Sequence, residues 1–136
     1  MMQKIDLKEY SKFVEAVTSD ESNSTELMID RIRKLEGDGC NVSLLLTAAV
    51  GLSAESGEFT EIVKKMIFQG KPFSDEIHHH MLRELSDIAW YLTNATRALG
   101  INLNEVFAEN VRKLESRYPG GKFNPYFSEN RADNDL

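Results

Sequence analysis

Four carboxylates stand in two matched pairs: Glu55-x-x-Glu58 within "GLSAESGEFTEIVKK", and Glu84-x-x-Asp87 within "ELSDIAWYL". Residues three apart on a helix are neighbours, so each pair presents two acids in one general direction. At about 100° per residue, Leu52, Phe59, Ile62, Val63 and Met66 fall within roughly a third of a helix's circumference. Glu55 lies inside that arc, Glu58 beside it, and Glu61 points further away. In the second stretch Ile77, Met81, Leu85, Ile88, Leu92, Ala95 and Leu99 make the stripe, with Glu84 inside it and Asp87 on its border. If the two stripes pack together, the four acids converge. Burying even one uncompensated charge is expensive, so something positive must sit among them. A lysine or arginine would answer one stray acid; four acids on two facing stripes point to a hard divalent cation. Oxygen-only ligands suit Mg²⁺ or Mn²⁺ rather than zinc. Mg²⁺ keeps waters and takes further ligands from phosphates, which makes a phosphate ester the natural guest.

Such pairs need rigid elements to hold them, and the chain supplies helices. Asp6 can cap a first helix carrying Tyr10, Phe13, Val14 and Val17, broken by "SDESNS" at 19–24. Leu27, Met28, Ile29, Ile32 and Leu35 predict a second helix ended by "GDG". A long third helix runs from near Ser43 to Gln69 and stops at "GKP". Ser74 is a good N-cap for a fourth, and Gly100 a good stop. Asn102 followed by Glu105 resembles a capping box for the fifth, which carries Leu103, Val106, Phe107, Val111 and Leu114 and ends at "YPGG". No stretch alternates long enough for a strand. The expected fold is all-α, about five helices in one domain over residues 1–123, with a polar, loose tail over 124–136.

Size and composition agree with one globular domain: 136 residues, 41% hydrophobic and 28% charged. A net charge of −6 argues against a nucleic-acid polymer as partner, because phosphates call for basic surface. It leaves open a phosphate-bearing small molecule bound through metal ions. The single cysteine, Cys40, permits no internal disulfide and reads as a plain thiol. No signal-peptide core and no membrane-length apolar run is present, which gives an expected cytoplasmic address with no membrane partner.

The fifth helix carries Asn110 near the centre of its apolar stripe, Arg117 close by and Lys113 on the edge. An amide and two cations there fit phosphate or sugar recognition. The alternative is that both cations snorkel to solvent at a helix C-terminus, where positive charge is favoured. Other signals carry no site. "HHH" at 78–80 points in three directions, so the three rings cannot hold one ion; His80 alone lies on the side of Glu84, one turn away. Glu76-x-x-His79 is half of a di-iron motif with no second half. Gly51, Ser53, Ala54, Ser56 and Gly57 read as close helix packing that also leaves room beside Glu55 and Glu58. "RYPGGKF" lacks Walker spacing.

"GLSAESGEFTEIVKK", "ELSDIAWYL" and "GINLNEVFAENVRKLESRYPGGKF", in that order, resemble the MazG-type nucleoside triphosphate pyrophosphohydrolases, particularly their short, phage-like single-domain members. The signature E-x-x-E, spacer, E-x-x-D stands here as Glu55, Glu58, Glu84 and Asp87, and the resemblance covers residues 43 to 123. It implies a helical subunit that forms a homodimer or a homotetramer (a pair of dimers), with Mg²⁺ held by the four acids. It also implies cleavage of a (d)NTP between the α and β phosphorus to a monophosphate and pyrophosphate. Glu55 and Glu58 are then candidates to hold the attacking water. Asn110, Lys113 and Arg117 match positions expected to touch sugar or phosphates; Lys65 could reach the phosphate tail, and Tyr91 could line the pocket or simply pack in the core. Trp90 points away from the acids and reads as a packing or interface residue. Two other functions stay open: hydrolysis of another pyrophosphate-containing nucleotide, such as an alarmone or a modified dNTP, and a catalytically silent nucleotide-binding dimer.

Overall fold

The computed structural model describes residues 4–133; the last three residues of the expected tail lie outside them. Among the described residues there are helices and no strand, as the sequence predicts. The chain divides into two compact units, Met1–Val42 and Ser43–Leu136, each described by itself.

The first unit holds α1 (Leu7–Val17), α2 (Asp20–Asn23) and α3 (Thr25–Gly37). Asp6 caps α1, its carboxylate accepting from the Lys8 N–H at 2.9 Å and the Glu9 N–H at 3.3 Å. The "SDESNS" break contains one extra helical turn, α2, because its serines act as successive N-caps. Ser19 accepts from the Ser22 N–H and starts α2; Ser24 accepts from the Leu27 N–H and starts α3.

The second unit holds α4 (Val42–Phe68), α5 (Asp75–Leu99), α6 (Leu103–Arg117) and the short α7 (Pro125–Glu129). Gly70, at φ 67°, turns the chain at the end of α4, where the Lys71 N–H donates to the Lys65 carbonyl at 3.2 Å. Ser74 then caps α5 through the Ile77 N–H at 3.2 Å. Gly100, at φ 68°, closes α5 in the left-handed region. Both halves of the α6 capping box form: Asn102 accepts from the Glu105 N–H at 3.1 Å, and the Glu105 carboxylate accepts from the Asn102 N–H at 2.8 Å. α7 opens the stretch expected to be a tail; Asn124 caps it and Pro125 stands in its first turn.

α4 and α5 are joined by a short turn and run antiparallel. They come close at Gly51, where an added Cβ would lie 2.1 Å from Cε1 of Tyr91. Hydrogen in place of a side chain is what allows the Tyr91 ring to lie on the α4 backbone. The best-covered positions of α4 include Ala48, Gly51, Glu55, Phe59, Ile62 and Met66. Those of α5 include Ile77, Met81, Glu84, Ile88, Tyr91 and Ala95. Steps of three and four keep such positions on one face, and on both helices a carboxylate stands in the middle of it. Leu85 and Leu99, expected in the α5 core stripe, are instead 49% and 60% exposed. Leu85 sits on the shoulder of the stripe and Leu99 at the helix end. Two further buried polar residues of α5 are satisfied within their own helix: Asn94 accepts from Arg97 Nη1 at 2.9 Å, and Thr96 Oγ1 donates to the Thr93 carbonyl at 2.8 Å.

Candidate metal centre

One turn along α4 from Gly51 comes Glu55, and two turns before Tyr91 on α5 comes Glu84, so the tight Gly51–Tyr91 contact sets the gap these acids face across. Carboxylate oxygens of Glu55, Glu58 and Glu84 all lie within 4.8 Å of one another. Oxygens on one octahedral Mg²⁺ stand about 3–4 Å apart, given bonds of about 2.0–2.1 Å. Small rotations of three side chains would bring them onto one ion, and a hard all-oxygen donor set is what Mg²⁺ and Mn²⁺ prefer. The residues therefore fit a divalent cation.

The three acids differ in exposure. Glu84 is buried, at 6%; Glu55 is half-buried and Glu58 is exposed. Asp87 is also exposed and does not belong to the meeting group of three, although its charge is felt by Glu55. The Glu55 carboxyl is pushed above its usual 4.5, first by burial, then by the charges of Glu58, Asp87 and Glu84, and by a hydrogen bond with Glu84. Lys64 and Lys65 pair with Glu61, and Arg112 with Glu109, rather than with Glu55, Glu58 or Glu84. The side chain that does touch the group is His80, whose Nε2 lies 2.9 Å from Oε1 of Glu84. That is the one-turn spacing visible in the sequence.

The remaining candidates are dispersed. Lys65 is held by Glu61, Nζ to Oε1 at 3.3 Å, and Lys64 pairs with the same carboxylate. Tyr91 is half-buried on Gly51, with its ring edge-on to Trp90 at 4.8 Å between centroids. Asn110, Lys113 and Arg117 lie on α6, outside the meeting group, which draws on α4 and α5 alone. There only part of the expected apolar stripe is covered. Lys113 and Arg117 are half-buried in register with Leu103 and Val106, while the apolar Phe107, Val111 and Leu114 are exposed. The three histidines diverge as their spacing requires. His78 stacks edge-on to Phe73 at 6.1 Å, and His80 turns to Glu84.

Two features escaped the sequence reading. The small residues of α4 signalled close packing, but the partner at Gly51 was not legible until Tyr91 was seen against it. An apolar cavity of about 290 Å³, lined by Phe59, Phe73, His78, Met81, Leu82 and Leu85, opens about one turn from the acids. No periodicity on a single helix could have announced it.

Fold and site together define an all-α protein that sets a cation-receptive acidic cluster between two antiparallel helices. Residues 45–121 match the MazG nucleotide pyrophosphohydrolase domain, and the chain belongs to that family. It is also 30% identical over 86 residues to the Gene 37 protein of Mycobacterium phage L5, a match covering 62% of this chain and 75% of the phage protein. No solved structure matches. No helix among the described residues is long and apolar enough to cross a membrane.

Proposed function

We propose that the protein is a Mg²⁺-dependent nucleoside triphosphate pyrophosphohydrolase, converting a (d)NTP and water to a (d)NMP and pyrophosphate. The observation that carries this reading is the convergence of Glu55, Glu58 and Glu84 across α4 and α5. Family membership supports it. Glu55, Glu58 and Glu84 would hold the ion, with Asp87 completing the set from the solvent side. Bound there, Mg²⁺ neutralises triphosphate charge and polarises the α-phosphoryl group.

The chain's own residues account for the rest. Glu58, the exposed member, would accept the proton of the attacking water as its oxygen bonds to the α phosphorus. The bond from that phosphorus to the bridging oxygen breaks, and pyrophosphate leaves with the electron pair. Glu55 would be the other candidate to hold the attacking water. Lys65, once drawn from Glu61, and Lys113 and Arg117 of α6 would bind the phosphates; Asn110 would meet the sugar, and Tyr91 would back the pocket. The unit of action is a homodimer or homotetramer, to which the open apolar residues of α5 and α6, Trp90 at 59% among them, would contribute contacts.

The test is product identification. A panel of (d)NTPs, with an alarmone and modified dNTPs included, is incubated with Mg²⁺ and wild type or Glu58→Gln. Paired monophosphate and pyrophosphate from the wild type, absent from the variant, is the expected result. Release of inorganic phosphate would place the scissile bond elsewhere. Binding of Mg²⁺ and nucleotide without cleavage would mark a silent binder.

A further inference from the structure

Glu84 is the most buried member of the acid cluster, and a buried carboxylate needs a hydrogen-bond donor. The donor it has is neither lysine nor arginine. His80, one turn earlier on α5, places Nε2 at 2.9 Å from Oε1, and this nitrogen carries the proton because a carboxylate offers none. The two side chains are unequal in environment: His80 is 53% exposed and Glu84 8%. The ring thus closes over the carboxylate from the solvent side. Its nitrogens are not among the ligand atoms that meet, so His80 is no member of the ligand set. His80 also helps line a cavity of about 290 Å³ with Lys71, Glu76, Ile77, His79 and Arg83, separate from the apolar one.

We infer that His80 is the positioning residue of the metal centre: by holding Oε1 of Glu84, it fixes that carboxylate in the group with Glu55 and Glu58. A glutamate side chain has three free torsions, and Glu84 faces two like charges that favour rotation away from them. A directed hydrogen bond from a helical neighbour opposes that rotation without adding a positive group inside the cluster. Partners that orient a ligand in this way typically govern metal affinity by about 10–100-fold. The inference rests on the metal reading above, and it assigns to this chain a histidine that the paired-acid motif does not contain.

The experiment is a Mn²⁺ titration of the full chain, following the electron paramagnetic resonance of the free ion, on wild type, His80→Phe and His80→Gln. Phenylalanine keeps the bulk and removes the donor; glutamine keeps a donor at a similar reach. Expected are a Kd raised about 10–100-fold in His80→Phe, most of the loss restored in His80→Gln, and metal-free variants that still melt cooperatively as folded chains. Equal Kd in wild type and His80→Phe, or glutamine no better than phenylalanine, would overturn the positioning role alone. A wild type that binds no Mn²⁺ would overturn the metal reading, and this inference with it.

Discussion

Two glutamates on α4, six residues apart, titrate in opposite directions. Glu61 is drawn below its usual 4.5, chiefly by the Lys64 hydrogen bond and then by that of Lys65. Glu55 is driven above the same value by burial and by its acidic neighbours. Helix and residue type are shared; burial and company differ. Glu61 sits in an ordinary i,i+3 and i,i+4 ion-pair arrangement, of a kind that contributes little to stability when exposed. Glu55 sits where the fold gains nothing from a carboxylate and is strained by three others. A position that folding alone would disfavour is where a functional demand shows, and on the proposed reading the demand is for a cation.

The sharpest way to break this comparison is to neutralise each glutamate in turn. Glu55→Gln should lower turnover on the order of 10²–10³-fold, the scale of losing one electrostatic contact to the transition state. Glu61→Gln should leave kcat unchanged. Steady-state kinetics on both variants decide; equal losses would mean that the two sites do not differ in function.

A second test moves the helices rather than the charges. Gly51→Ala places a methyl group inside the Tyr91 ring. Overpacking of this kind costs about 1–3 kcal/mol, partly offset by about 1 kcal/mol from alanine's better helix propensity. The helices should part, weakening Mg²⁺ binding through a residue that touches no ligand. Tyr91→Ala in the same chain should restore much of the affinity, and a double-mutant cycle on Mg²⁺ Kd measures the coupling.

The smallest effect is in pH. A carboxyl raised in the folded state contributes stability that is fully present below its unfolded value and is lost as pH rises through the folded one. For metal-free protein, the Glu55 contribution should therefore fall as pH climbs above 4.5. Glu61, lowered, contributes in the opposite sense: its stability is present above 4.5 and is lost as pH falls through the folded value. Melting temperature against pH for Glu55→Gln and Glu61→Gln separates them, the first removing a falling slope and the second a rising one.

Much of this was legible in the sequence because it depends on local rules. The caps at Asp6, Ser74, Asn102 and Gly100 need only neighbouring residues, and each forms as read. The meeting of Glu55 with Glu84 followed from two stripes with the same defect. What stayed hidden depends on reach and partner choice. A helical wheel gives direction, not length: Asp87 was placed on the border of its stripe, but its side chain is one methylene shorter than glutamate's, and the structure leaves it outside the group of three. Lys65 is within reach of a phosphate tail by its position, yet Glu61, one turn back, holds its ammonium group. On α6 the hydrophobic pattern marked one stripe, yet only Leu103 and Val106 of it are covered, together with Lys113 and Arg117 from its border. Nothing within a single helix says which of two adjacent stripes its neighbours will choose.

The central claim is that the crowded acids exist to hold a cation, and thermal melting of wild type and Glu55→Gln, with and without Mg²⁺, tests it most directly. Without Mg²⁺ the glutamine variant should melt higher, since an amide replaces a repelled charge. With Mg²⁺ the wild type should rise with ligand concentration, as binding to the folded state requires, and overtake a variant that responds little. A wild type indifferent to Mg²⁺, or a glutamine variant that melts lower in its absence, would contradict the account.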